Sequence, residues 1–143
     1  MAKRNDKSVI VPIIVVMVAI VIPAFAHHGT GISYDASKAF MIKGTVTEFR
    51  YANPHPQLFW DSVNEKGEVV HWSGEIPSNP SALIKYGWGK KRALDALQPG
   101  TRVTINIFPS RAGLPVGLVN KIVNEKGEQI LCSFSLGDTS LTC

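Results

Sequence analysis

Leu58-Phe59-Trp60-Asp61-Ser62-Val63, Asn64-Glu65-Lys66-Gly67, then Val69-Val70-His71-Trp72-Ser73-Gly74 reads as two β-strands joined by a tight turn. Asn stands at the first and Gly at the fourth position of a type I turn. Gly67 then takes the left-handed conformation of a G1 bulge. With that turn Asn64 faces Glu68. Counting outward, Asp61 faces His71 and Trp60 faces Trp72. An aromatic pair and a charged pair therefore fall on opposite faces of the ribbon. This explains His71 as a structural residue. The same words recur at Val123-Asn124-Glu125-Lys126-Gly127-Glu128, a second hairpin turn and not a repeat array.

Working outward, Phe40 to Tyr51 is a strand with Ile42, Gly44 and Val46 at period two. Its phase slips to Phe49 and Tyr51, which predicts a bulge near Thr47-Glu48. Asn79 to Tyr86 is a short helix, capped by Asn79 or Ser78, with Pro80 in its first turn and Gly87 ending it. Arg92 to Leu97 adds a further helical turn. After Pro99-Gly100 comes a cleanly alternating strand, with Val103, Ile105 and Ile107 inward and Thr104 and Asn106 outward. Gly113 to Gly117 reads as a loop, Leu118 to Val123 as a strand, and Gln129 to Phe134 as its return.

Three strands, a short helix and two or three more strands make the fold mainly β. The order suits a small OB-like Greek-key barrel, with a plain β-sandwich as the alternative. Many small barrels share this order, so the fold implies no function.

Before the barrel lies a leader. Lys3, Arg4 and Lys7 precede the uncharged run Ser8 to Ala26, 19 residues long. As a hydrophobic helix it would measure about 28 Å. Ala24-Phe25-Ala26 has the small-x-small form of a secretory cleavage site. Residues 1–26 are therefore expected to be a signal peptide, with a signal anchor in the inner membrane as the alternative. Either way residues 27–143 are expected outside the cytoplasm, exported to a periplasm or held at its membrane. Residues 27–131 form one domain and 132–143 a tail. The leader carries three of the 15 basic and one of the 11 acidic residues, which leaves +2 for the exported part. That modest charge, with export, argues against nucleic acid as a partner.

Cys132 and Cys143 are the only cysteines. Outside the cytoplasm they are expected to form a disulfide that staples the tail. Neither lies in a CxxC pair, so they are not read as metal ligands.

Four histidines carry the remaining chemistry. Cleavage after Ala26 makes His27 the amino terminus, offering one metal ion both an α-amine and an imidazole. His28 adds a second ring. His55 stands in Asn53-Pro54-His55-Pro56, where two prolines restrict the backbone on either side. Imidazole and amine nitrogens suit copper above other divalent ions. The expectation is a copper site built from His27, His28 and His55, with Tyr34 and Asp35 as orienting neighbours. Lys85, Lys90, Lys91 and Arg92 form a local basic cluster that is either a solvated helix end or a contact with an anionic surface.

No GxSxG, HExxH or P-loop is present. Asp35, Asp61 and Glu75 are the carboxylates to consider near histidines, and they point to no particular reaction. A hydrolase or oxidase is the least favoured reading. An exported, non-catalytic metal-binding protein leads. A membrane-anchored or envelope interaction module, serving a membrane complex without metal, is the alternative.

His27-His28-Gly29, Tyr34-Asp35, Lys43-Gly44-Thr45-Val46, Asn53-Pro54-His55, Trp72, Asn79, Gly87-Trp88 and Leu97-x-Pro99-Gly100 together resemble a family of small exported bacterial proteins of unknown function. Its members open the mature chain with His-His, followed by Tyr-Asp or Phe-Asp and later Asn-Pro-His. The resemblance spans roughly residues 27–131. It implies an exported OB-like barrel in which His27, His28 and His55 act together, and it implies no activity. Cys132 and Cys143 lie outside the family pattern.

Overall fold

Strands β1 (Phe40–Arg50), β2 (Gln57–Val63), β3 (Val69–Glu75), β4 (Arg102–Pro109), β5 (Val116–Asn124) and β6 (Gln129–Ile130) follow one another along the chain. They are seen in a computed structural model that describes residues 33–131. Two short helices, α1 (Pro80–Lys85) and α2 (Lys90–Ala96), lie between β3 and β4. The sheet runs β3-β2-β1-β4-β5-β6, and a parallel pairing of β3 with β5 closes it on itself. The result is a closed five-strand barrel with the strand order of an OB fold. The leader, His27, His28, and the tail with Cys132 and Cys143 lie outside the described residues. Among the described residues, no helix is long and apolar enough to cross a membrane.

The first hairpin has the register counted from its turn. Trp60 pairs with Trp72, and Asp61 with His71. The two indoles stack with centroids 5.9 Å apart, on the face opposite the Asp61–His71 contact. Gly67 and Gly127 both take positive φ, 78° and 79°. In each turn the Asn side-chain oxygen accepts two backbone N–H groups, those of Lys66 and Glu68 in one and Lys126 and Glu128 in the other. The β1–β2 register shifts between Val46 and Glu48, which leaves Thr47 bulged and lets Val46 and Phe49 both point inward.

Inward alternation then fills the barrel. Val46, Leu58, Trp60, Val103, Ile105, Ile107, Val119 and Ile122 are buried in one cluster. Leu83, Trp88, Ala93 and Leu97 from the α1–α2 segment join it. Each of the larger aliphatic or aromatic side chains stabilises the fold by about 1.5–3 kcal/mol when fully buried. Asn79 caps α1 by accepting from Ala82 N at 2.8 Å, and Gly87 at φ 79° ends it.

Three details differ from the sequence reading. The expected loop through Gly117 ends earlier, because Val116 and Gly117 pair with Ser73 and Gly74 of β3 and make the closing seam. A β-carbon on Gly117 would lie 3.0 Å from the Phe108 carbonyl oxygen, so glycine permits that approach. The turn expected at Arg92 is a seven-residue helix beginning at Lys90. A second bulge, at Asn120, follows from the register shift between β4 and β5; the Asn120 amide donates to Asn106 Oδ1 at 2.9 Å.

Candidate functional site

Register and loop geometry bring His55 to Glu75. Gln57, the first residue of β2, pairs with Glu75, the last of β3. His55 lies two residues before Gln57, in the β1–β2 loop. Pro56 beside it is buried, and its carbonyl accepts from Ile76 N at 2.8 Å. At the other end of the loop the Tyr51 hydroxyl shares a hydrogen bond between the carbonyls of Pro80 and Trp88, both at 3.1 Å. The loop is thus tied down on both sides of the histidine.

The His55 ring sits with Nε2 3.7 Å from Glu75 Oε1, beyond hydrogen-bond range but close enough for an ion pair when the ring is protonated. Its Nδ1 is buried and has no hydrogen-bond partner. Both side chains keep 28% of their surface exposed, so the pair is accessible from outside.

Tyr34 completes the cluster. It bridges to Ser110 beside the β4–β5 loop, and its hydroxyl donates to the Glu75 carboxylate. Burial, reinforced by that carboxylate, pushes the Tyr34 phenol above its ordinary pKa. Tyr34, Glu75, Gln57, Phe59 and Ser73 line a depression of 290 Å³ on the outer wall of the barrel. Arg50 extends the wall: it lies 4.5 Å over the Phe59 ring and is held by both oxygens of Glu48 at 2.6 and 2.9 Å.

Asp35 serves the backbone. It accepts from Ser37 N at 3.1 Å and Ser37 Oγ at 2.6 Å, capping the 3-10 turn Ala36–Lys38. Arg111 approaches its other oxygen at 3.3 Å. The Ser37 hydroxyl, helped by Arg111 and Lys38, holds its carboxyl below the usual range. The structure therefore brings Tyr34 to the partner of His55 and turns Asp35 toward Ser37 and Arg111. The same segment is fixed to the barrel by Asp35 N donating to Pro109 O at 2.9 Å and Arg111 N donating to Ser33 O at 3.0 Å. Ser33, the first described residue, is thus fixed to the barrel one residue before Tyr34.

The other candidates are placed as follows. His71 is exposed and bonded to Asp61 at 2.6 Å, a strand-to-strand pair. Lys85, Lys90, Lys91 and Arg92 are all exposed on or beside the two helices. Lys91 pairs with Asp95, and Arg92 stacks 4.0 Å over Trp88. A larger depression of 720 Å³, lined by Lys43, Asp61, Arg102, Asn124 and Glu125 among others, lies between the two hairpin turns. Its Arg102 and Glu125 side chains are exposed and paired at 3.5 Å, and neither His55 nor Tyr34 reaches it. The smaller depression is the better candidate, because three titratable groups converge beside it.

Among the described residues, no three His, Cys, Asp or Glu side chains gather closely enough to hold a metal ion. His55 and Glu75 supply two donors.

Glu75 is the residue that sequence reading underused. It was visible as a carboxylate near histidines, yet its pairing with Gln57 lies just three steps beyond the Trp60–Trp72 pair on the same ribbon.

No curated protein matches the chain. The sequence profile of a family of unknown function, DUF6152, matches residues 15–120. Tyr34, His55, Glu75 and strands β1 to β4 fall within that match, and the chain belongs to this family of unknown function.

Proposed function

We propose that this is an exported, non-catalytic binding protein whose ligand is a copper(II) ion. His27 contributes its α-amine and imidazole, His55 a third nitrogen and Glu75 an oxygen, with His28 as auxiliary donor. The observation that carries the reading is the His55–Glu75 pair. One ring nitrogen of His55 is buried without a partner, and the other faces a carboxylate. Two supports stand beside it. The chain enters the barrel at Ser33, next to the tyrosine bonded to Glu75. Five residues separate His27 from Ser33, and the six steps of extended chain between them reach roughly 20 Å. The donor set is nitrogen-rich with one carboxylate, a combination that favours copper(II) among divalent ions. Tyr34 would hold Glu75 in place from behind.

The test begins with the amino terminus of the protein isolated from cells, since only a chain starting at His27 has the free amine. Copper(II) is then titrated into that protein, into His55→Ala and Glu75→Gln, and into a chain with one extra residue before His27. Loss of affinity by at least about tenfold, or 1.4 kcal/mol, is expected for His55→Ala and for the extended chain. Unchanged affinity in both refutes the site. An envelope interaction module without metal would then be the leading account.

A further inference from the structure

We propose that the outer face of α1 and α2 docks on an anionic phospholipid surface. This inference is independent of the copper reading and uses a different set of residues. The two helices bury little: Leu83 is the buried residue of α1 and Ala93 that of α2. Their outer faces project Ile84 and Leu94, which are 60% and 36% exposed. Lys85, Lys90, Lys91 and Arg92 lie between these two aliphatic residues in sequence. Arg92 donates to the Gly87 carbonyl at 3.1 Å, which ties the first turn of α2 to the bend just after Lys85.

The placement of these cations is unfavourable for the helix itself. Lys90, Lys91 and Arg92 occupy the first turn of α2, where the unpaired backbone N–H groups already concentrate positive charge. That turn holds no acidic residue, and its cap, Gly89, supplies no side-chain hydrogen bond. The acidic residue of α2, Asp95, is taken by Lys91. Arg92 has Trp88 and the Gly87 carbonyl, whereas Lys85 and Lys90 make no ion pair among the described residues. An anionic surface offers them counter-charge, and lysine stems can lie along it while Ile84 and Leu94 enter the headgroup boundary. Lipid fits better than an acidic protein, because two separate aliphatic side chains offer far less apolar surface than the core of a stable protein interface.

The experiment uses the full chain in vesicles of phosphatidylcholine, with and without phosphatidylglycerol; Lys3, Arg4 and Lys7 of the leader also favour the anionic vesicles, so protection is read relative to lysines elsewhere on the barrel. Lysines are labelled with an amine-reactive reagent and located by peptide mass spectrometry. Lys66 and Lys126, at the hairpin turns, serve as internal references. Labelling of Lys85, Lys90 and Lys91 is expected to fall at least about fivefold with phosphatidylglycerol, the factor that one lysine's attraction to an anionic leaflet supplies. High salt should restore it, and the variant I84S/L94S should lose part of the protection. Equal labelling in the two vesicle types overturns the proposal. So does protection that inorganic phosphate gives without vesicles, or protection that appears only when an acidic envelope protein is added. Protection unaltered in I84S/L94S also overturns the docking face.

Discussion

Trp60 lies so close to Gly74 that a β-carbon there would come within 3.0 Å of its ring, and within 2.5 Å of Val119 Cγ2. Glycine at 74 is therefore part of how the tryptophan fits the closed barrel. Gly44 meets the other edge of the same indole, with the Asp61 carbonyl oxygen 2.8 Å from where its β-carbon would stand. Gly74→Ala should destabilise the fold by about 1–3 kcal/mol, the usual cost of overpacking a filled core. Urea denaturation measures it, and a loss below that range would mean that Val119 and Trp60 can give way.

The two hairpin glycines present the opposite case. Gly67 and Gly127 have open space around them, and only their positive φ resists a side chain. Gly67→Ala and Gly127→Ala should each cost about 1–2 kcal/mol from backbone strain alone. The two values should be nearly equal, since the turns make the same Asn hydrogen bonds. Thermal unfolding of both variants checks the match.

Asp35 should respond to the loss of one hydroxyl. Its carboxyl is held low first by Ser37 and then by Arg111 and Lys38. Ser37→Ala should raise the Asp35 pKa toward its ordinary value near 3.9, as followed by NMR titration. A lowered folded pKa gives stability that is present above the unfolded value and lost as pH falls through the folded one. In the wild type the attachment of Ser33–Lys38 should therefore loosen only in strong acid, seen as faster exchange of the Asp35 and Lys38 amides.

Tyr34 and Tyr51 should titrate above the ordinary tyrosine value of about 10. Burial is the leading cause for both, with Glu75 adding to it at Tyr34 alone. A raised folded pKa gives stability that is intact below the unfolded value and lost as pH rises through the folded one. Alkaline unfolding should therefore track tyrosinate absorbance. Glu75→Gln should lower the Tyr34 value and leave Tyr51 where it was.

Copper affinity should fall with pH, because protons compete for the α-amine, the imidazoles and the Glu75 carboxylate. Titrations from about pH 8, the ordinary amine value, down to about pH 5 should show a loss that steepens as further donors take up protons. Affinity unchanged across that interval would exclude nitrogen donors.

The barrel was legible because its turns are spelled out. Asn64-Glu65-Lys66-Gly67 fixes the register of β2 against β3, and its copy at Asn124 locates the β5–β6 turn. The period-two run from Val103 to Ile107 and the phase slip at Thr47 are equally local. Val116-Gly117 was misread as loop because its partner strand is about forty residues distant in sequence, and nothing local announces a parallel seam. The second bulge at Asn120 is a similar case, set by how β5 must turn between two neighbours. At the site, His55 stood out through its flanking prolines. Its relation to Glu75 needed the hairpin count carried to the end of the ribbon. Asp35 looked like a partner of chemistry because it follows Tyr34, yet the chain direction there sends the two side chains to different neighbours.

The seam that closes the barrel is its shortest pairing, Ser73 to Glu75 against Val116 to Leu118. Glu75 is therefore both the carboxylate facing His55 and the last rung of the join. A ligand bridging Glu75 to the β1–β2 loop would act as a clasp across that join, tying it to a third strand through His55. Occupancy would then be felt as mechanical tightness far from any ligand atom, in the slowed exchange of amides along β3 and β5. The barrel would in effect report whether its outer wall is loaded by how reluctantly it opens.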